Sequence, residues 1–146
     1  PPVESSSTYS NVRYDYAIDY PDSLLTPEEE SPSLDGLVFQ PKSGHADVRV
    51  WARTALDESL RDILRSDEQD DCAGVTVAYE MSKPTYAAFS CVTPKGQIVY
   101  RKMVKRGDVL AVVRFEYDPS ERSIWDAAIK QMANSLRLGP GTKYVE

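Results

Sequence analysis

The sequence predicts an α+β domain, an antiparallel β-sheet of about six to seven strands flanked by two main α-helices. Three observations carry this. Two segments alternate apolar and polar residues with period two, Val12–Tyr20 and Val109–Tyr117. Short strand-like segments follow one another across tight turns, the pattern of an antiparallel run. Two further segments instead place apolar residues at helical spacing, Leu56–Leu64 and Ile124–Leu136.

Taken in order, residues 1–10 are serine- and proline-rich and read as a flexible leader. In the first strand Val12, Tyr14, Tyr16, Ile18 and Tyr20 share one face, and Pro21 ends it. Asp22–Asp35 holds Pro27, Pro32 and the acidic run Glu28–Glu30, and reads as a long surface loop. Gly36–Phe39 and Ala46–Ala52 form a hairpin around Lys42-Ser43-Gly44. A first helix is expected next, capped by Thr54, with Leu56, Leu60, Ile63 and Leu64 as its stripe and the polar run Ser66–Asp71 as its stop. Strands Val75–Met81, Tyr86–Val92 and Gln97–Lys105 follow. Thr93-Pro94-Lys95-Gly96 is a turn with proline second and glycine fourth. Arg106-Gly107-Asp108 reverses the chain into Val109–Tyr117, where Leu110 and Val112 are apolar on the second face as well, as a central strand covered twice requires. Asp118, Pro119 and Glu121 start the closing helix, and Gly139-Pro140-Gly141 ends it. One domain over residues 11–138 results, with a tail over 139–146.

Composition narrows the function. The 146 residues include 23 acidic and 17 basic side chains, a net charge of −6, which disfavours nucleic acid as a partner. No apolar run approaches the roughly 20 residues of a transmembrane helix. One histidine and two cysteines leave little from which to build a metal site or histidine-dependent catalysis. Neither a cofactor nor an enzymatic activity is expected. The chain opens at Pro1, which reads as a trimmed product whose targeting segment has been removed.

Cys72 and Cys91 bracket a hairpin, Gly74–Met81 with Tyr86–Val92, and fall nearly opposite each other at its open end. Opposed strand residues lie about 4.5–5.5 Å apart, within disulfide reach. Two buried free thiols are the competing reading; the bridge is preferred, and it implies an oxidising compartment.

His45, at a hairpin tip with Asp47 nearby, reads as an exposed turn residue rather than a base or metal ligand. A Cys91–His45 nucleophile pair has no supporting motif. Asp67, Glu68, Asp70 and Asp71 lack the glycine of a calcium loop and read as a solvated helix end. Arg101, Lys102, Lys105 and Arg106 are split between strand faces, and Arg106-Gly107-Asp108 is good turn chemistry as much as an adhesion string. Nine tyrosines stand out. Tyr14, Tyr16 and Tyr20 read mainly as core, Tyr9 and Tyr144 as exposed, and a tyrosine-bearing face is the best pointer to a protein partner.

The element order resembles the PsbP-like superfamily, which includes DcrB-like bacterial envelope proteins and the Mog-type Ran-release factor. The residues that carry the resemblance are Tyr14-Asp15-Tyr16-Ala17-Ile18-Asp19-Tyr20-Pro21, Asp35-Gly36-Leu37-Val38-Phe39, Val48-Arg49-Val50-Trp51, the helix Leu56–Leu64, Ile98-Val99-Tyr100-Arg101-Lys102, Phe115-Glu116-Tyr117 and the last helix. The resemblance implies an α/β/α sandwich, commonly exported, that binds proteins rather than catalysing reactions. The resulting expectation is a periplasmic or otherwise extracytoplasmic binding module: an inhibitor, an immunity protein against a toxin, or an adaptor. Its partner would be another protein, such as a basic toxin or hydrolase, met through Asp22, Glu28, Glu29 and Glu30 of one loop and Asp67, Glu68, Asp70 and Asp71 of the other. A small-ligand or lipid carrier is the alternative.

Overall fold

The computed structural model describes residues 5–139. Its strands are β1 (Ser7–Asn11), β2 (Tyr16–Tyr20), β3 (Leu25–Pro27), β4 (Gly36–Pro41), β5 (Asp47–Thr54), β6 (Val77–Ser82), β7 (Tyr86–Val92), β8 (Ile98–Arg106), β9 (Val109–Tyr117) and β10 (Arg137–Leu138). The helices are α1 (Leu60–Asp71) and α2 (Arg122–Ser135). Seven strands form one sheet in the order β3-β4-β5-β9-β8-β7-β6, antiparallel throughout. A small sheet runs β1-β2-β10.

The central position of β9 explains its apolar residues on both faces. Ala111, Val113, Phe115 and Tyr117 join a cluster with Val48, Val50, Phe39 and the α2 residues Trp125, Ala128, Ile129 and Met132. Leu110 and Val112 join a second cluster with Phe89, Met103 and the α1 residues Leu60, Ile63 and Leu64. The two helices thus draw on opposite parities of the same strand. At the start of β4, Gly36 lies where a β-carbon would sit only 1.9 Å from the Val50 carbonyl, so only glycine allows this approach.

The first strand departs from expectation. Period two from Val12 to Tyr20 predicted one strand after a flexible leader. Instead Ser7–Asn11 is itself a strand, paired to β2 with Tyr9 opposite Ile18. The chain reverses over residues 12–15, where Asp15 takes φ 54° and Val12 is 73% exposed. The buried Asn11 side chain holds the turn, accepting from the Tyr14 N–H at 2.8 Å and donating to the Leu34 carbonyl at 2.9 Å. Serines 5 and 7 and Thr8 hydrogen-bond Asp22 and Asp19, which secures a segment poor in apolar residues. Residues 1–4 of the expected leader lie outside the described residues.

Helix α1 also starts later than expected. Thr54 belongs to β5, opposite Val109, and the cap is Ser59, whose hydroxyl accepts from the Asp62 N–H at 3.1 Å. Leu56 therefore precedes the helix and is 60% exposed. The run Ser66–Asp71 does not stop α1 but forms its second half. At the other end of the chain, Asp118 caps a short 3-10 turn opened by Pro119, accepting from the Ser120 N–H at 2.9 Å. Helix α2 behind it has no side-chain cap, because Glu121 accepts from the Trp125 indole and the His45 N–H instead of closing a capping box. That helix ends at Ser135, ahead of Gly139, because Ser135 bonds both Met132 and Asp19 and the chain then adds to β2 as β10. Pro140, Gly141, Tyr144 and the rest of the 140–146 tail lie outside the described residues. The loop Asp22–Asp35 contains β3, which buries Leu25.

Candidate functional site

Asp67 and Asp71 face inward. Both are aspartates on α1 four residues apart, on one helix face, and that face meets the sheet. Arg101 on β8 lies 3.2 Å from Asp67 and 3.2 Å from Asp71, and its guanidinium stands 5.1 Å over the Trp51 ring. Arg114, opposite Arg101 on β9, donates to Asp71 at 2.9 Å and to Glu116 at 3.0 Å. Burial pulls Arg114 down, and its bonds with Asp71 and Glu116 more than offset this, so its net shift is upward. Burial pushes the Asp67 carboxyl up against the pull of Arg101. These two acids were read as partner-facing; they tie α1 to the sheet instead, because two arginines on adjacent strands need counter-charges under the helix.

Of the remaining acids in that run, Asp70 is exposed, and Glu68 is half-buried at the end of α1 near Glu80 of β6. Burial first, and the Glu80 carboxyl second, push Glu68 up to about 7. The raised value means that Glu68 contributes stability fully below its unfolded range near 4.5 and loses it as pH rises through about 7. Glu68→Gln is therefore expected to raise Tm at pH 8 by about 2–4 °C and to leave it unchanged at pH 4, measured by thermal unfolding. An equal shift at both pH values would contradict the assignment.

Asp22, Glu28, Glu29 and Glu30 lie around β3, at the sheet edge opposite to β6 and β7. Asp22 accepts from Ser5 and Ser7, Glu28 from Gln40, and Glu30 from Tyr9 at 2.6 Å. Glu29 is exposed. The two acidic groups thus do not share one surface: the first lies around the β3 edge, and the second is carried by α1, whose Asp67 and Asp71 reach Arg101 of β8 and Arg114 of β9. Among the described residues no cluster of three or more His, Cys, Asp or Glu side chains is placed to hold a metal ion. His45 is exposed, and its backbone N–H donates to Glu121 at 3.2 Å.

Cys72 and Cys91 are bridged, with Cα atoms 6.1 Å apart. The bridge is not a cross-strand one. Cys91 is opposite Val77 in the β6–β7 ladder, and Cys72 is the residue that caps the C-terminus of α1, so the bond pins the helix end onto β7.

The feature that sequence reading missed is a trough on the α2 side of the sheet. One cross-strand row runs Tyr79, Ser90, Tyr100, Phe115 over β6, β7, β8 and β9, and the next runs Met81, Ala88, Lys102, Val113. Phe115 is buried beneath α2, whereas Tyr79 at the far end is 41% exposed. Ser90 and Ala88 are small and form a floor on β7 between taller walls on β6 and β8. Tyr79 and Tyr100 reach across Ser90 to stack, ring centroids 6.3 Å apart and 18° from parallel. On α2, Asp126, Ile129, Lys130 and Asn134 supply the remaining wall. Two cavities, of about 430 and 160 Å³, share Tyr79, Tyr100 and Asn134. A strand whose consecutive positions on one face are alanine and serine, between tyrosines, was the available signal.

Two polar groups of the trough are held in place. Tyr117 donates to Asp126 at 3.2 Å. Lys102 is half-buried, donates to the Ala133 carbonyl at 2.8 Å and stands 5.0 Å over the Tyr86 ring. Burial lowers the affinity of Lys102 for its proton and pushes the Tyr100 and Tyr117 phenols up to about 12. At neutral pH Tyr100 and Tyr117 are therefore protonated, with broad apolar faces.

No family model and no curated protein matches the sequence. Among solved structures, the chain is similar to the solution structure of cyanobacterial PsbP (CyanoP) from Synechocystis sp. PCC 6803. The match has a TM-score of 0.65 over 92% of this chain and 93% of that one, at 10% identity. The fold is PsbP-like. At that identity the likeness concerns the backbone path, and the PsbP-like fold carries no site residues across with it. Among the described residues, no helix is long and apolar enough to cross a membrane.

Proposed function

We propose that the protein is a non-enzymatic, extracytoplasmic protein-binding module, of the inhibitor, immunity or adaptor kind, and that the tyrosine trough beside α2 is its contact surface. On this reading the fold is an α/β/α sandwich whose α2 layer leaves the β6–β8 end of one sheet face open. The observation that carries the proposal is the aromatic row that starts in the core at Phe115 and ends exposed at Tyr79. Tyrosines held by stacking and burial lose little conformational freedom on binding, which is why such residues anchor interfaces. The disulfide suits an oxidising compartment.

The test is capture from a cell-envelope extract of the source organism, using the wild-type chain and the Tyr79→Ala and Lys130→Glu variants. A stoichiometric partner retained by the wild type and depleted at least several-fold by both variants is the expected result. A partner held equally by all three would remove the trough from the account.

One observation favours the carrier reading as a second possibility. The Lys102 ammonium lines the cavity of about 160 Å³, which shares Tyr79, Tyr100 and Asn134 with the one of about 430 Å³, an arrangement suited to an apolar carboxylate. Native mass spectrometry of the purified protein distinguishes the two, since a carrier retains bound mass.

A further inference from the structure

The large sheet has two edges of unequal openness. β3 has three residues and ends in Pro27, which guards it. β6 has six residues, most of them exposed, and only a register shift between Val77 and Tyr79 interrupts it. Its outward groups follow from the ladder. The Lys83 N–H donates to the Tyr86 carbonyl at 2.8 Å. Antiparallel pairing alternates, so Met81 and Tyr79 turn their backbone groups to β7, and Glu80 and Ser82 turn theirs to the open side.

Beside that edge two carboxyls stand against one guanidinium. Glu80 is opposite Phe89, whose side chain packs in the α1-side cluster, so the Glu80 side chain lies on that face, near Glu68. One carboxylate oxygen of Glu68 is buried with no donor group among the described residues, its neighbour being the Glu80 carboxyl. A cleft of about 440 Å³ opens there, lined by Glu68, Gln69, Val77 and the end of α1. Arg65, one turn earlier on α1, is the only cation among the described residues that line it. Two carboxyls side by side, one with a buried oxygen that meets no such donor, are relieved by an incoming cation.

We propose that the β6 edge accepts an extended segment of a partner protein as an eighth strand, with a lysine or arginine of that segment entering the cleft beside Glu68 and Glu80. This rests on the reading of the protein as a protein-binding module and names the kind of partner. Backbone bonds to Glu80 and Ser82 supply affinity, and the alternate side chains supply specificity, apolar over Tyr79 on one face and basic at Glu80 on the other. A second copy of this chain is the poorer occupant. With Glu80 opposite Glu80, its strand would bring two pairs of carboxyls together, and like charges placed opposite one another destabilise a strand pair. Lys83 shares the parity of Tyr79 and points to the other face, so it supplies no counter-charge.

The test uses two synthetic probes, a peptide alternating valine and lysine and one alternating valine and glutamate, with the ¹⁵N-labelled full chain. With the lysine peptide at ten times its dissociation constant, amide exchange at Glu80 and Ser82 is expected to slow roughly tenfold. The glutamate peptide should leave it unchanged. Glu80→Pro should abolish the effect, and Glu68→Gln with Glu80→Gln, which keeps every backbone donor, should erase the discrimination between the peptides. No slowing with either peptide, equal slowing with both, or concentration-dependent dimerisation that protects the same amides would overturn the proposal. A captured partner that is lost with Tyr79→Ala but kept with Glu80→Pro would leave the trough standing and remove the eighth strand.

Discussion

Asp71→Ala is expected to destabilise the protein by about 3 kcal/mol, read as a lower urea midpoint with an unchanged slope. Asp71 accepts from Arg114 at 2.9 Å and from Arg101 at 3.2 Å, and all three side chains are at most 19% exposed. Removing the carboxylate leaves Arg101 to Asp67 and Arg114 to the more exposed Glu116. The cost arises from arginine charge held out of water with too few acceptors, more than from the loss of attraction itself. Replacing Asp71 and Arg114 together by leucine should therefore cost less than Asp71→Ala alone. If the single substitution shifts stability by under about 0.5 kcal/mol, the pair is solvated and the account of α1 fails.

The second large effect is that of the disulfide. Cys72 and Cys91 are 19 residues apart, and closing such a loop restricts the unfolded chain by about 3 kcal/mol. Cys72→Ala with Cys91→Ala should lose that amount, as should reduction of the native protein. Thermal unfolding with and without a reductant checks it. An unchanged Tm would mean that the bond contributes nothing. The loop also holds β6, whose outer edge is paired by no strand among the described residues, so hydrogen exchange in β6 should accelerate more than in β9 when the bond is cut.

Much of the large sheet was legible because its signals are local. Leu110 and Val112, apolar on the second face of β9, announced a central strand, and Asp118-Pro119 announced a cap. Errors arose where a distant residue decides. The polar run Ser66–Asp71 looked like a helix stop because its partners, Arg101 and Arg114, lie 30 or more residues away in sequence. Period two continued smoothly from Val12 to Tyr20, but an asparagine bonding Leu34, 23 residues on, makes the turn that splits it. The Cys72–Cys91 pairing was read correctly on an incorrect geometry, since the helix extends to Cys72. Of the expected contact residues, Asp67 and Asp71 are consumed internally, and the trough escaped notice because its floor is defined by the small size of Ala88 and Ser90.

The small sheet has a kinetic meaning. β1 and β10 flank the same strand, so Arg137 lies opposite Ala17 across a separation of 120 residues. A polypeptide made or threaded through a pore from its amino end can seat β1 on β2 early, but that strand waits for nearly the whole chain before its second neighbour arrives. Closing so long a loop is the slowest kind of contact to form. The β1-β2-β10 layer is then expected to be completed late in folding, and until β10 arrives the open flank of β2 is a surface on which a half-finished molecule would stick to its neighbours.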